Sequence, residues 1–342
     1  MINFYAPGQP AAAFDPARCA ELTRTAVWID LLQPTAEEEQ NLERVLGIDI
    51  PTRAELHEIE LSSRLFEENG VLFMTTTVLT KADTSQPESS AVTFIVTNDK
   101  LVTVRYADPA PFHAFRIKRD ANPQRFQTHY QIFGGLIDAI IERIADILEG
   151  VGANLDRISL RVFEPTGARA VPHPPGDLTQ SAPGRNRKAR QRDFVEILRR
   201  IGAASDLVSR ARESLVSLSR LVTFFREVGK EAGAAKEALA HWKTLASDLA
   251  SLSDHASFLS SKVSFLLDAT LGMINNEQNA IIKILSVAAL VFLPPTLVAG
   301  IYGMNFVFIP ELKWAQGYPF ALALMIISAV LPYFFFRRKG WL

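Results

Sequence analysis

The residues with the most specific chemical pattern follow a long uncharged segment near the C-terminus. Residues Tyr302–Asn305 read Tyr-Gly-Met-Asn, and no acidic or basic side chain lies between Lys283 and Glu311. A glycine at this place predicts the end of a helix, which presents the carboxamide of Asn305 at the boundary of the apolar segment. An ordinary Gly-Asn turn is the alternative interpretation.

Signals for catalysis are weak throughout the chain. The 6 histidines are scattered, and none forms a His-Glu-x-x-His pair. No Walker loop, Gly-x-Ser-x-Gly or Gly-x-Gly-x-x-Gly sequence occurs. The single cysteine, Cys19, excludes a disulfide framework and a cysteine-rich zinc or iron–sulfur site. We therefore expect neither an enzyme nor a catalytic cofactor, and any solute moves down its gradient or by exchange.

Two apolar segments must position the Asn305 carboxamide. Ile284–Ile301 spans roughly 27 Å as a helix, which is close to the hydrocarbon thickness of a bilayer. Tyr318–Phe336 is a second uncharged run of nearly the same length. Two buried helices of a soluble protein are the alternative, but adjacent runs of this length favour membrane spans.

Basic residues beside the apolar runs set the predicted orientation. Arg337, Arg338 and Lys339 follow the second run directly, and Lys283 precedes the first. Because positive residues collect on the cytoplasmic side, the C-terminus is expected in the cytoplasm. Two spans return the chain to its starting side, so the N-terminus is expected there too. We predict a two-span protein of the cell inner membrane, in contact with the lipid bilayer.

The cytosolic part begins with a mixed α/β pattern. β-branched and aromatic residues predict strands at Val27–Asp30, Val71–Thr80, Ala91–Thr97 and Leu101–Tyr106. Thr35, followed three residues later by Glu38, is a capping-box pattern that predicts a helix start. The chain of 342 residues has a formal net charge of -1, so no basic excess indicates a nucleic-acid partner.

Helical periodicity dominates the rest of the cytosolic part. Apolar residues recur at spacings of three and four in two seams, from Phe194 to Phe225 and from Trp242 to Leu266. Such heptad seams are typical of coiled coils and predict a long helical hairpin. Its second arm is expected to continue as one helix of roughly 100 Å from about Ala234 to Ile301. The predicted order is an α/β domain (1–125), a helical domain (126–283), a first span (284–302), an external loop (303–317), a second span (318–336) and a basic tail (337–342).

The C-terminal motif resembles that of the CorA family of divalent cation transporters. The resemblance rests on Gly303, Met304 and Asn305 after the first of two C-terminal spans, and it extends to Phe292–Thr296 and the closing residues 337–342. It implies an α+β cytosolic N-terminal domain, followed by a long helical stalk and two C-terminal transmembrane helices. It also implies a funnel-shaped homopentamer in which the first spans line a central pore.

The same resemblance implies roles for single residues. Gly303, Met304 and Asn305 form the entrance, where a ring of amides binds hydrated Mg²⁺, an ion that dehydrates reluctantly. The residues that match the family's pore lining are Asn279, Ile282, Leu285, Leu293 and Thr296. For the apolar members the alternatives are a hydrophobic constriction that gates by dewetting and ordinary helix packing.

A regulatory metal site is implied at Asp268, with Glu55 or Glu58 as the candidate partner carboxylate. A simple flanking charge beside the heptad seam is the alternative for Asp268. Many family members carry a glutamate where this chain has Val307, so Glu311 is the only acid of the external loop. Mg²⁺ is expected both as the transported substrate and as the regulatory ligand.

The resemblance implies influx of Mg²⁺, with Co²⁺ and Ni²⁺ as further substrates, down the electrochemical gradient and under control of intracellular Mg²⁺. A Zn²⁺ transporter of the related ZntB branch is one alternative, although that branch typically has Gly-Ile-Asn where this chain has Met304. A membrane-anchored coiled-coil scaffold that transports nothing is another. Such a scaffold has no need for Asn305 or for a polar Thr296 inside a span.

Overall fold

The computed structural model describes residues 1–57, 64–84, 86–163, 183–228, 236–305, 314 and 316–339. The chain divides into two compact units, Met1–Leu267 and Asp268–Leu342, which are described separately below. Three residues singled out from the sequence, Glu58, Val307 and Glu311, lie outside the described residues.

A mixed sheet forms the centre of the first unit. Its strands are β1 (Ile2–Tyr5), β2 (Ala12–Ala13), β3 (Trp28–Leu32), β4 (Leu65–Glu68), β5 (Val71–Thr80), β6 (Glu88–Val96) and β7 (Leu101–Arg105). They follow the spatial order β2-β1-β3-β7-β6-β5-β4. Strands β3 and β7 are parallel, and the other neighbours are antiparallel. The four strands predicted from the sequence are confirmed, and β5 has the predicted bounds.

Helices cover both faces of this sheet. The described helices are α1 (Cys19–Thr25), α2 (Ala36–Leu46), α3 (Ala110–Ala121), α4 (His129–Phe163), α5 (Pro183–Val228), α6 (Lys236–Tyr302) and α7 (Gly317–Arg338). Leu42 of α2 joins the apolar core on one face. On the other face Phe94 contacts Phe112 of α3 and Phe133 of α4, at ring-centroid distances of 6.3 and 5.2 Å. The α/β prediction for the start of the chain is therefore confirmed.

The start of α2 shows how local sequence sets an element boundary. The Thr35 hydroxyl accepts a hydrogen bond from the Glu38 amide at 3.3 Å, and the Glu38 carboxylate accepts one from the Thr35 amide at 2.9 Å. This reciprocal pair satisfies two amides that the helix leaves free. Gly47, with φ of 68°, ends the helix in the left-handed conformation.

A buried ion pair joins the two parallel strands. Asp30 accepts hydrogen bonds from Arg105 at 2.9 and 2.8 Å and from the Thr103 hydroxyl at 2.8 Å. Both charged side chains are fully buried, and the Trp28 indole donates to the same threonine at 3.0 Å. Such a pair is tolerated in a core because its polar atoms are hydrogen-bonded.

Three long helices, α4, α5 and the first-unit part of α6, pack together. Lys262 of α6 donates to Asp156 of α4 at 2.6 Å, so these helices contact each other near their C-terminal parts in this unit. The ring of Trp242 in α6 lies 4.3 Å from that of Phe225 in α5. Both predicted heptad seams are buried, apart from the half-buried Leu252. Helix α6 confirms the prediction of one continuous helix.

The second unit consists of the remainder of α6 and helix α7. The helical segments Ala240–Tyr302 and Gly317–Arg338 are long and apolar enough to cross a membrane. Few of the described residues in this unit are buried, among them Val287 and Ala321. An apolar surface of this extent needs a covering of lipid or of other protein chains.

Candidate functional site

One face of α6 in the second unit carries the predicted pore positions. At about 100° per residue, the five positions from Asn279 to Thr296 fall within an arc of about 120° on the helix. Asp268 falls within the same arc. The residues that share this face, in chain order, are Asp268, Asn279, Ile282, Leu285, Leu293 and Thr296. We call it the α6 face.

Large apolar side chains on the α6 face are exposed to solvent in the single chain. Ile282, Leu285 and Leu293 are 58%, 65% and 67% exposed. A groove of about 670 Å³ follows this face and is lined in part by Leu293, Thr296 and Met304. Ile282, Leu285 and Leu293 are each more than half exposed, so packing within the described part of the chain does not explain them.

Two prolines interrupt the backbone hydrogen bonds of α6 directly after Leu293. Pro294 and Pro295 lie inside the helix and have no N–H, so the carbonyls of Leu290 and Val291 lose their usual helical donors. The Thr296 hydroxyl donates to the Phe292 carbonyl at 2.7 Å. The hydroxyl therefore bonds within the helix, while its oxygen keeps an acceptor lone pair.

Helix α6 ends at the Gly-Met-Asn sequence. The Gly303 amide donates to the Ala299 carbonyl at 2.9 Å, and the Met304 amide donates to the Ile301 carbonyl at 3.3 Å. These bonds close the last turn and leave Asn305 exposed directly beyond it. The predicted helix end at Gly303 is therefore confirmed, and Asn305 is an exposed residue directly beyond it.

The predicted regulatory residues differ in their local surroundings. Asp268 is exposed on α6. The Glu55 carboxylate accepts hydrogen bonds from the amide and the hydroxyl of Thr52, at 2.8 and 2.9 Å, so it caps a short turn in the first unit. Glu58 lies outside the described residues. Within the described ranges no group of three or more His, Cys, Asp or Glu side chains is arranged to hold a metal.

Basic residues lie at the ends of the two apolar segments. Lys283 is exposed on α6, Arg337 and Arg338 form the last turn of α7, and Lys339 caps that helix. The Lys339 ammonium lies 5.3 Å from the centre of the Phe335 ring. Such an arrangement suits the boundary between hydrocarbon and water, where a cationic head stays hydrated and its stem covers apolar surface.

The sequence interpretation did not single out Asn275, a polar residue on the α6 face. Asn275 is exposed and lies one turn before Asn279, within the same arc. The four-residue spacing of two amides was the signal that pointed to it. Asn276, the next residue, falls outside the arc and therefore offers a matched control.

Comparisons with known proteins agree on one family. The family model described as CorA-like Mg²⁺ transporter protein matches residues 24–171 and 186–338. The magnesium transport protein CorA of Escherichia coli is 33% identical over 317 residues, which cover 93% of this chain and 92% of that protein.

Solved structures share the fold. The CorA magnesium transporter of Methanocaldococcus jannaschii superposes with a TM-score of 0.73 at 18% identity, over 100% of this chain and 98% of that one. The cytoplasmic domain of ZntB from Vibrio parahaemolyticus superposes with a TM-score of 0.55 at 10% identity, over 80% of this chain and 98% of that one. These two likenesses concern the fold alone. The sequence matches show that the chain belongs to the family of CorA-like Mg²⁺ transporter proteins, which are transporters and not enzymes.

Proposed function

We propose that the protein lets Mg²⁺ enter the cytoplasm down its electrochemical gradient, through a pore lined by the α6 face of several identical chains. The observation that carries this proposal is the α6 face itself. It combines exposed apolar and amide side chains along one side of α6. The helix ends at Tyr302, directly before Gly303, Met304 and Asn305. The family match and the magnesium transport activity named for the Escherichia coli relative support the same ion.

A homopentamer is the proposed assembly. The α6 face is too apolar to remain in water, and an isolated chain provides no second wall for an ion pathway. Identical chains around a closed symmetry axis bring the same face of each to the centre, while α7 remains outside towards the lipid. The resemblance to the CorA family supplies the number of subunits.

The proposed entrance is a ring of Asn305 carboxamides, held by Gly303 and Met304 at the end of α6. Mg²⁺ keeps its water shell tightly, and neutral amide oxygens accept hydrogen bonds from those waters without removing them. A ring of carboxylates would bind a divalent cation more strongly and release it more slowly. The proposed entrance therefore combines recognition with fast exchange.

Below the entrance, the proposed gate is apolar. Ile282, Leu285 and Leu293 project exposed apolar side chains from the face that lines the proposed pore, and a narrow apolar ring expels water and blocks a hydrated ion. Thr296 and Asn279 provide polar groups on either side of Leu293. Opening then requires a small outward movement of α6, for which the interrupted hydrogen bonds at Pro294 and Pro295 offer a hinge.

Intracellular Mg²⁺ is the proposed regulator. Bound at Asp268 between neighbouring subunits, the ion offsets the repulsion of carboxylates and keeps the ring closed. Glu55 or Glu58 is the proposed partner carboxylate. From Asp268 to Leu293 the helix contains no proline, so a displacement at the metal site reaches the proposed gate.

Both termini are proposed to lie on the cytoplasmic side of the inner membrane. Lys283, Arg337, Arg338 and Lys339 support this orientation through the positive-inside rule. The loop that carries Glu311 then faces outside. With Val307 in place of the glutamate common in the family, this loop is proposed to attract cations only weakly.

Flux into proteoliposomes tests the proposed function. Full-length protein is reconstituted with a Mg²⁺-sensitive dye inside the vesicles, and parallel samples use dyes for Zn²⁺, Co²⁺ and Ni²⁺. We expect Mg²⁺ entry, loss of that entry in Asn305→Ala, and normal entry in the control Asn276→Ala. Both variants should assemble as the wild type does, as judged by size-exclusion chromatography with light scattering.

Three results would contradict the proposal. Wild-type flux in a correctly assembled Asn305→Ala protein would refute the entrance ring. Zn²⁺ entry much faster than Mg²⁺ entry would favour the ZntB-type alternative. Absence of flux for every cation would favour a membrane-anchored scaffold.

A further inference from the structure

A cationic cavity lies in the first unit. It has a volume of about 450 Å³ and lies where α5 packs beside strands β4 and β5. Three arginines line it, namely Arg64, Arg212 and Arg220, and among its described lining residues Glu213 is the only acid. We call it the arginine cavity.

Helix α5 supplies one wall of the arginine cavity. Its contributing residues recur at spacings of three and four, which places them on one side of the helix over about three turns. They are Ser209, Arg212, Glu213, Val216, Ser217 and Arg220. Because Arg212 and Arg220 lie two turns apart on this wall, their side chains can reach a shared ligand from both ends.

Strand β5 supplies the opposite wall, and hydrogen bonds hold the two walls together. The Ser217 hydroxyl accepts a hydrogen bond from the Thr77 amide at 3.0 Å, and the Ser214 hydroxyl donates to the Thr77 carbonyl at 2.7 Å. Arg64 donates to the Thr77 hydroxyl at 3.4 Å. The cavity therefore has a fixed rear wall, which lowers the cost of ordering it around a ligand.

The two cavity arginines on α5, Arg212 and Arg220, differ from other arginines of that helix in their ion pairing. Arg200 and Arg210 each form an ion pair with an acid one turn earlier, at 2.8 and 3.0 Å. Among the residues that the structure describes, Arg212 and Arg220 form no ion pair with a carboxylate, and Glu213 accepts from the Ser89 hydroxyl at 3.4 Å. No ion pair among the described residues therefore offsets the positive charges of Arg212 and Arg220.

We propose that the arginine cavity binds a small organic phosphate of nucleotide size. Planar guanidinium groups donate paired hydrogen bonds to phosphate oxygens, and the threonine and serine hydroxyls beside them add further donors. The volume is larger than inorganic phosphate requires and falls in the range of small-molecule sites. Leu65 and Val216, which also line the cavity, offer an apolar surface for a base or sugar. This site does not depend on the proposed transport activity.

Binding of a fluorescent nucleotide tests the proposal. The full-length protein in detergent micelles is titrated with the N-methylanthraniloyl derivative of ATP in EDTA, so that Mg²⁺ does not contribute. The double variant Arg212→Gln/Arg220→Gln should weaken binding by about tenfold or more, because it removes two charge-assisted contacts. The control Arg199→Gln/Arg226→Gln makes the same charge change on the same helix outside the cavity and should bind as the wild type does.

Competition identifies the ligand class. Unlabelled ATP should displace the probe at a lower concentration than inorganic phosphate, because only ATP reaches the apolar wall. Absence of probe binding to the wild type, or equal loss of binding in both double variants, would overturn the proposal. Displacement by inorganic phosphate at the same concentration as ATP would contradict a ligand of nucleotide size.

Discussion

Gly303 closes the last turn of α6 through a hydrogen bond from its amide to the Ala299 carbonyl oxygen, at 2.9 Å. A Cβ atom added at Gly303 would lie 3.0 Å from that same oxygen. This distance is at the lower limit of real contacts, and the atom opposite is backbone, which moves less easily than a side chain. The end of the helix, and with it the position of Asn305, therefore depends on glycine at this place.

Gly303→Ala is the first prediction. The methyl group displaces the last turn and shifts Asn305, so Mg²⁺ flux into proteoliposomes should fall by about tenfold, or about 1.4 kcal/mol in the binding of the ion. Gly150→Ala is the matched control, because a Cβ at Gly150 meets nothing within 4 Å. An assembled Gly303→Ala protein with wild-type flux would show that the close contact has no role.

The second prediction concerns the driving force. A divalent cation that crosses about 100 mV gains about 4.6 kcal/mol, twice the value for a single charge. Mg²⁺ entry into proteoliposomes should therefore increase with an inside-negative potential set by potassium and valinomycin, and it should need no nucleotide. Entry that requires ATP after both the potential and the Mg²⁺ gradient are removed would contradict this mechanism.

The third prediction concerns His129, which begins α4. The pKa of His129 is lowered to about 4, chiefly by burial; the nearby Asp99 opposes this shift and Lys100 adds to it. Its Nε2 atom has no hydrogen-bond partner among the described residues. The folded protein therefore holds the neutral ring, whereas the unfolded chain takes up a proton near pH 6.5.

The sign of the resulting pH dependence follows from linkage. Because the folded pKa is the lower one, this contribution to stability is complete above about pH 6.5 and is lost as the pH falls towards 4. At pH 5 the loss is about 2 kcal/mol. His129→Phe keeps an aromatic ring beside Tyr130 and removes the titrating group, so it should flatten the dependence of the thermal midpoint between pH 7 and pH 5. An unchanged pH dependence would show that His129 is not responsible.

The sequence predicted those helix starts and strands that depend on interactions between residues close together in the chain. The capping box at Thr35 and the strand Val71–Thr80 appear as predicted because side-chain hydrogen bonding and β-branched composition act within a few residues. The strand Ile2–Tyr5 was missed, because it forms by pairing with β3 and its own short sequence does not set it apart. Its partner β3 lies far along the chain.

Contacts between distant residues could not be predicted in the same way. The arginine cavity depends on the hydrogen bond between Thr77 and Ser217, which are 140 residues apart. No spacing in the sequence indicates that strand β5 and helix α5 meet there. By contrast, the α6 face depends only on the period of one helix, and the family motif directed attention to that helix. Asn275 was overlooked because no resemblance drew attention to it.

The last prediction concerns Asp268 and the control of opening. Bound Mg²⁺ is proposed to neutralise Asp268 at subunit interfaces, and a lysine supplies a fixed positive charge in its place. Asp268→Lys should therefore favour the closed arrangement without Mg²⁺. Limited proteolysis measures this directly: when Mg²⁺ exceeds its dissociation constant about tenfold, cleavage of the wild type should slow by about tenfold. The variant should be cleaved slowly with or without the ion.

Glu277→Lys provides the matched control for this experiment. It makes the same change of charge on the same helix, but Glu277 falls on the side of α6 away from Asp268 at about 100° per residue. The control should therefore keep the Mg²⁺-dependent protection of the wild type. Mg²⁺ that protects the wild type and Asp268→Lys equally, with neither protected in its absence, would mean that Asp268 is a surface charge. Loss of the response in both lysine variants would show that the total charge of the stalk, and not a site at Asp268, senses the ion.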